Sequence, residues 1–186
     1  MAVSTNQFKN GMAIEIDGVA YSIVEFQHVK PGKGGAFVRT KVRNIATGAV
    51  LDKTFRAGEK FDRIHTQSRK VAYLYSTDDE VVLMDNETYE QVSVSPAMAE
   101  AALTWVVENM EVELMYLNGE PFEVAAPNFV ELTITKSDPG VQGNTAQGAT
   151  KPATLESGVT IQVPLFIEEG EKVKVDTRSG EYLGRA

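Results

Sequence analysis

Short runs of alternating apolar and polar residues, cut every few positions by turn-forming pairs, recur along this chain and leave few folds open to it. Residues 14–23 carry Asp17-Gly18 at their centre, and residues 111–117 and 122–125 flank Asn118-Gly119; both pairs close tight hairpins. Residues 71–76, 80–84 and 89–94 form three more runs, punctuated by Asp85-Asn86-Glu87. After Pro127 the alternation resumes, with Val130, Leu132 and Ile134 on one side and Glu131, Thr133 and Thr135 on the other. Runs at 159–163, 172–175 and 181–183 follow, with Ser179-Gly180 as a late turn. Strands and turns at this spacing build small barrels or sandwiches and exclude a βαβ sheet. One helix interrupts them, expected over 96–109: Ser95 suits the N-cap, Pro96 the first turn, and Met98, Ala101, Ala102, Trp105 and Val106 the buried face.

Charge divides the chain further. Residues 1–64 carry ten Lys or Arg against six Asp or Glu, residues 65–127 two against twelve, and residues 128–186 six against eight. The overall charge of −8 argues against a polyanionic partner, but its distribution places a basic end on an acidic body. Boundaries fall where the sign changes and after Ala125-Ala126-Pro127, giving domains 1–64, 65–127 and 128–186. No internal sequence repeat links them, although the second and third can share a topology.

Without cysteine the chain forms no disulfide or thiolate metal site, and His28 and His65 lack a ligand-like spacing. No apolar run approaches the ~20 residues of a membrane span, and the N-terminus lacks a secretion signal. A cytoplasmic protein with no membrane partner, metal or dissociable cofactor is expected, and a monomer. Enzyme signatures are missing too. Gly32-Lys33 is followed by glycine where a phosphate-binding loop needs Ser or Thr, and there is no His-Glu-x-x-His or Gly-x-Ser-x-Gly.

The most distinctive segment is Lys30-Pro-Gly-Lys-Gly-Gly-Ala36, which joins two alternating runs and places Lys33 at the tip of a tight loop. Pro31 fixes one backbone angle, and Gly32, Gly34 and Gly35 admit turn conformations closed to other residues. Beyond the loop, Arg39, Lys41 and Arg43 fall at every second position and so project from one face of a strand, with Val38, Thr40 and Val42 on the other. A lysine-tipped hairpin with a basic face suits a phosphate backbone, and Lys30 adds to it. Residues 137–152 form a second unusual segment, a long glycine-rich stretch without strand pattern, which the sequence leaves open between simple disorder and a loop whose backbone amides approach a phosphate or a base.

The run His28-Val-Lys-Pro-Gly-Lys-Gly-Gly-Ala-Phe-Val-Arg39 resembles the N-terminal loop of the bacterial elongation factor P family, as does Lys53-Thr-Phe-Arg-Ala-Gly-Glu59. Lys151-Pro-Ala153, Gly158, Ile161-Gln-Val-Pro164, Ile167 and Gly170 resemble its third-domain signature, and so does Asp176-Thr-Arg-Ser-Gly-Glu-Tyr-Leu-Gly-Arg185. The resemblance implies an all-β fold of three small barrels in an L-shaped, tRNA-like arrangement: an SH3-like (KOW-like) barrel, then two OB-type barrels, with a short helix in the middle domain. It implies a translation elongation factor that binds the ribosome beside peptidyl-tRNA, stimulates peptide-bond formation and relieves stalling at consecutive prolines. Lys33 then takes a covalent extension from a modifying enzyme and points to the peptidyl-transferase centre. Gly143, Asn144 and Thr145 approach exit-site mRNA, Tyr182 and Arg185 lie near tRNA and the small subunit, and ribosomal proteins are further partners. Asn144 stands where the family commonly has Asp, which removes a charge and adds donors. A paralogue with other clients and a generic single-strand RNA-binding OB protein are the alternatives. The acidic charge after residue 64 speaks against the second.

Overall fold

In the computed structural model, which describes residues 1–140 and 148–186, the turn pairs organise the chain as their chemistry requires. Strands β1 (Ala2–Ser4), β2 (Ala13–Ile16), β3 (Val19–Val29), β4 (Phe37–Asn44), β5 (Val50–Arg56) and β6 (Lys60–Ile64) form one sheet in the order β1-β6-β2-β3-β4-β5. Between β2 and β3, Asp17 (φ 51°) and Gly18 (φ 79°) are both left-handed, the geometry of a two-residue hairpin turn. The sheet wraps around Val3, Phe8, Ile14, Ile16, Tyr21, Ile23, Val42 and Phe55. Phe8 meets Phe26 and Phe55 edge-on at 6.2 Å, the geometry that the ring quadrupoles favour.

Strands β7 (Gln67–Ser76), β8 (Val81–Asp85), β9 (Gln91–Val94), β10 (Glu111–Leu117) and β11 (Glu120–Ala125) form a second sheet in the order β11-β10-β7-β8-β9. Asn118 (φ 50°) and Gly119 (φ 83°) repeat the left-handed pair between β10 and β11. Strands β12 (Phe129–Ser137), β13 (Thr150–Leu155), β14 (Thr160–Pro164), β15 (Lys172–Asp176) and β16 (Glu181–Arg185) form the third, in the order β14-β13-β12-β15-β16. Numbered within its own sheet, each of these five-stranded sets reads 3-2-1-4-5. The second and third barrel-like sheets therefore share one topology without a detectable sequence repeat. In the third, Val130, Leu132 and Ile134 point inward with Leu155, Val163, Ile167, Val173 and Val175.

The chain divides into two compact units, Met1–Ser68 with Leu114–Glu123, and Arg69–Glu113 with Val124–Ala186. Among the described residues the single α-helix, α1 (Pro96–Leu103), is shorter than the sequence pattern suggested. Its buried residues are Ala99 and Ala102, Ala101 is exposed, and the Ser95 side chain makes no capping hydrogen bond. The chain leaves helical geometry because Trp105, Val107 and Met110 pack against the core of the third barrel, within the same unit. The Asn109 backbone turns left-handed (φ 70°), so the helical period that continued in the sequence is overridden by tertiary packing.

Two local devices close the third barrel. Asp176 Oδ1 accepts from the Arg178 amide at 2.9 Å while the Arg178 guanidinium grips the same carboxylate at 2.7 Å, which holds Asp176 down to about 2. Gly140 lies so close to the chain that an added Cβ would stand 2.6 Å from the Leu165 carbonyl oxygen. Gly140→Ala is therefore expected to cost about 1–3 kcal/mol, the usual penalty of forced overpacking, and a melting curve would register it.

Candidate functional site

The Lys33 loop exists because β3 and β4 pair antiparallel up to Val29↔Phe37, leaving Lys30 to Ala36 to reverse the chain. Lys30, Pro31 and Lys33 are exposed. The positive φ that favours glycine occurs at Gly34 (107°). At Gly32 and Gly35 a Cβ would meet nothing within 4 Å, so those two positions keep the tip slender and do not answer an internal clash. Lys33 makes no hydrogen bond or ion pair with the described residues.

On β4, Val38, Thr40 and Val42 are buried, with Arg39 exposed and Lys41 and Arg43 half-buried, as the alternation requires. The three cations nevertheless differ in their surroundings. Arg39 is flanked across the sheet by Gln27 and Thr54, neither of them charged, and its guanidinium lies 5.7 Å from the Phe37 ring centroid. Lys41 stands between Glu25 on β3 and Asp52 on β5, and its Nζ lies 2.8 Å from Glu25 Oε1. That hydrogen bond and charge raise the Lys41 pKa, with Asp52 adding to the effect. Together with Phe26 and Gln27 these residues line an open groove of about 390 Å³ along the strand.

Arg43 has a different neighbour. Burial pushes the Glu123 carboxyl up, and the Arg43 charge offsets this in part. Glu123 Oε2 and Ser22 Oγ are both buried and neither makes a well-aligned hydrogen bond with the described residues, although the nearby Ser22 hydroxyl also offsets the rise in part. A carboxyl with a raised folded pKa binds its proton more tightly folded than unfolded, so stability is lowest above that pKa and recovers as pH falls through it. Glu123→Gln should raise the melting temperature at pH 7.5 by roughly 2–4 °C, the response to ~1 kcal/mol in a chain of this size. The gain should vanish near pH 4, and melts at the two pH values test it.

Of the C-terminal candidates, Tyr182 packs against the third core, and Arg185 donates from Nε to Glu171 Oε2 at 2.6 Å while lying 5.1 Å from the Phe166 ring centroid. Arg185 in turn holds the Glu171 carboxyl below its ordinary range. Gly143, Asn144 and Thr145 lie outside the described residues. Lys151, named only as part of a motif, is buried and donates to the Asp138 carbonyl at 2.6 Å. Sequence reasoning passed over Glu25. It lies opposite Lys41 because a bulge between Ile23 and Glu25 inserts Val24 as an extra residue, and strict alternation hides such a shift. Among the described residues no group of His, Asp or Glu is placed to hold a metal ion, and no helix is long and apolar enough to cross a membrane.

A KOW-like barrel, an OB domain and a further β-domain in series define the class. The elongation factor P KOW-like domain model matches residues 4–61, the elongation factor P OB domain model 66–124, and the elongation factor P C-terminal model 130–185. Elongation factor P from Moorella thermoacetica is 51% identical over 99% of this chain and 100% of its own length. That from Acidothermus cellulolyticus is 54% identical over 98% of each. Among solved structures, eukaryotic translation initiation factor 5A from Methanococcus jannaschii is similar at 27% identity and TM-score 0.40, covering 68% of this chain and 94% of that one. The chain belongs to the elongation factor P family of translation elongation factors.

Proposed function

We propose that this protein acts in the cytoplasm by binding the ribosome beside peptidyl-tRNA and accelerating peptide-bond formation where consecutive prolines stall it. The observation that carries the reading is an exposed lysine, free of ion pairs with the described residues, at the tip of a hairpin whose supporting strand offers Arg39 to a phosphate. Membership of the family over nearly the whole chain supports it.

The chemistry asked of the protein is modest. Proline is a constrained nucleophile, and a poorly placed ester at the tRNA end reacts slowly. Holding that end in a near-attack geometry lowers the barrier entropically, without an acid, base or nucleophile from the factor. Lys33, extended by a modifying enzyme, supplies charge and hydrogen-bond donors at the tRNA terminus; Lys30, Arg39, Lys41 and Arg43 contact phosphates. In the third domain, residues 143–145 approach exit-site mRNA, and Tyr182 and Arg185 lie near tRNA and the small subunit. The factor turns over no substrate of its own, and it takes no cofactor beyond the modification.

The test is full-length product from a triple-proline template in a reconstituted translation system, with natively purified protein or none. Rescue by the protein upholds the reading. Failure of protein verified to be modified overturns it in favour of a paralogue with other clients.

A further inference from the structure

The three cations of β4 do not offer equal sites to a phosphate, and the inequality is built into the sheet. Across from Arg39 stand Gln27 and Thr54, so a phosphate there meets a guanidinium with no charged cross-strand competitor. Across from Lys41 stand Glu25 and Asp52, and Glu25 already holds the ammonium at 2.8 Å. The Glu25 side chain is 65% exposed and that of Lys41 38%, so the pair lies open to an incoming anion along the groove. Exposed pairs contribute little to stability, about 0–1 kcal/mol. The carboxylate is therefore not explained by a need to hold the sheet together, and it sets a negative charge beside the cations of that face.

We propose that Glu25 is a specificity-determining residue that competes with RNA phosphate for Lys41, so that Arg39 engages RNA of any kind and Lys41 joins only where a bound RNA places a phosphate well enough to displace the carboxylate. This rests on the reading of β4 as an RNA-contacting strand. Its physical consequence is discrimination. Counter-charge built into the site weakens casual contacts with the cell's abundant RNA more than contacts whose geometry is fixed by the rest of the complex. Val24, the extra residue of the bulge, makes the device possible, because in unbroken antiparallel register Val24 itself would face Lys41 and no β3 carboxylate would stand opposite it. A lysine is charged at neutral pH beside either a carboxylate or a phosphate, so the exchange of partners needs no proton transfer.

The experiment is equilibrium binding of the full-length protein to an RNA hairpin of tRNA acceptor-stem type, at salt concentrations from 50 to 200 mM, values chosen to resolve the salt slope. Glu25→Gln should tighten binding about threefold to tenfold at the low end and steepen the log–log salt slope by roughly 0.7–0.9, the signature of one more phosphate contact. In the Glu25→Gln background, Lys41→Met should erase the gain. Because Asp52 flanks Lys41 from β5, Glu25→Gln/Asp52→Asn is measured alongside to separate its share. A gain in Glu25→Gln that depends on Lys41 upholds the proposal; unchanged affinity in Glu25→Gln overturns it, as does a gain that survives loss of Lys41. The underlying RNA reading fails separately, if wild type does not bind the hairpin or if Arg39→Ala leaves affinity and slope unaltered. Melting curves verify that each variant is folded.

Discussion

Replacing Lys33 by Ala is expected to return full-length synthesis from a triple-proline template to the level seen without the factor. Each tenfold in rate corresponds to about 1.4 kcal/mol, and a hydrogen bond from a charged donor contributes roughly 1.5–3 kcal/mol. Loss of the side chain should therefore slow the stalled step about 10- to 100-fold. The same substitution should leave the melting temperature unchanged, because Lys33 is exposed and bonded to none of the described residues. A functional loss with intact stability separates this outcome from simple unfolding. Lys33→Arg adds a second distinction, since it keeps the charge but removes the primary amine that an extending enzyme would use. Arginine behaving like alanine points to the extension as the active element, and arginine behaving like lysine points to charge alone. Full activity of the alanine variant would remove Lys33 from the mechanism.

What could be read in advance was whatever the backbone demands of single residues. Asp17-Gly18 and Asn118-Gly119 announced their hairpins because a two-residue turn needs left-handed geometry at both positions, which few residue pairs tolerate. Val130, Leu132 and Ile134 announced the inner face of β12 because a strand has a period of two. The alternation failed at β3. There Tyr21 and Ile23 face inward at odd positions and Phe26 at an even one, because Val24 is bulged out between them. No local signal marks that bulge, so the partner of Lys41 was hidden while Lys41 itself was plain. The helix failed for the opposite reason, since its periodic pattern runs on through Trp105 and Val106 but the packing of Trp105 and Met110 on the third core ends it at Leu103. The shared 3-2-1-4-5 order of the last two sheets was legible only as a possibility. A barrel constrains which positions are apolar, not which apolar residues fill them.

Leu132→Ala should be the most damaging of these substitutions to stability, and Leu183→Ala among the mildest, although the chemical change is the same. Leu132 has 0% of its surface exposed, lies on the central strand of the third sheet opposite Val173, and is enclosed by Val130, Ile134 and Leu155. Truncating it removes buried methyl groups and leaves a cavity that a strand hydrogen-bonded on both edges cannot collapse, at a cost of about 2–5 kcal/mol. Leu183, on the edge strand β16, is 48% exposed and should cost less than about 0.5 kcal/mol. Denaturant titration of both variants gives the comparison directly, and equal costs would mean that the third core is not packed as described. Hydrogen exchange sharpens the test. Leu132 belongs to the unit that contains Val124–Ala186, whereas the Lys33 hairpin belongs to the unit that contains Met1–Ser68. Protection should therefore fall across β12–β16 and across β7–β9 of the same unit, and persist in β3 and β4, because local opening follows cooperative units and not chain proximity. A uniform loss of protection would instead make the two units a single cooperative whole, and any effect of Leu132→Ala on translation would then pass through the hairpin as well.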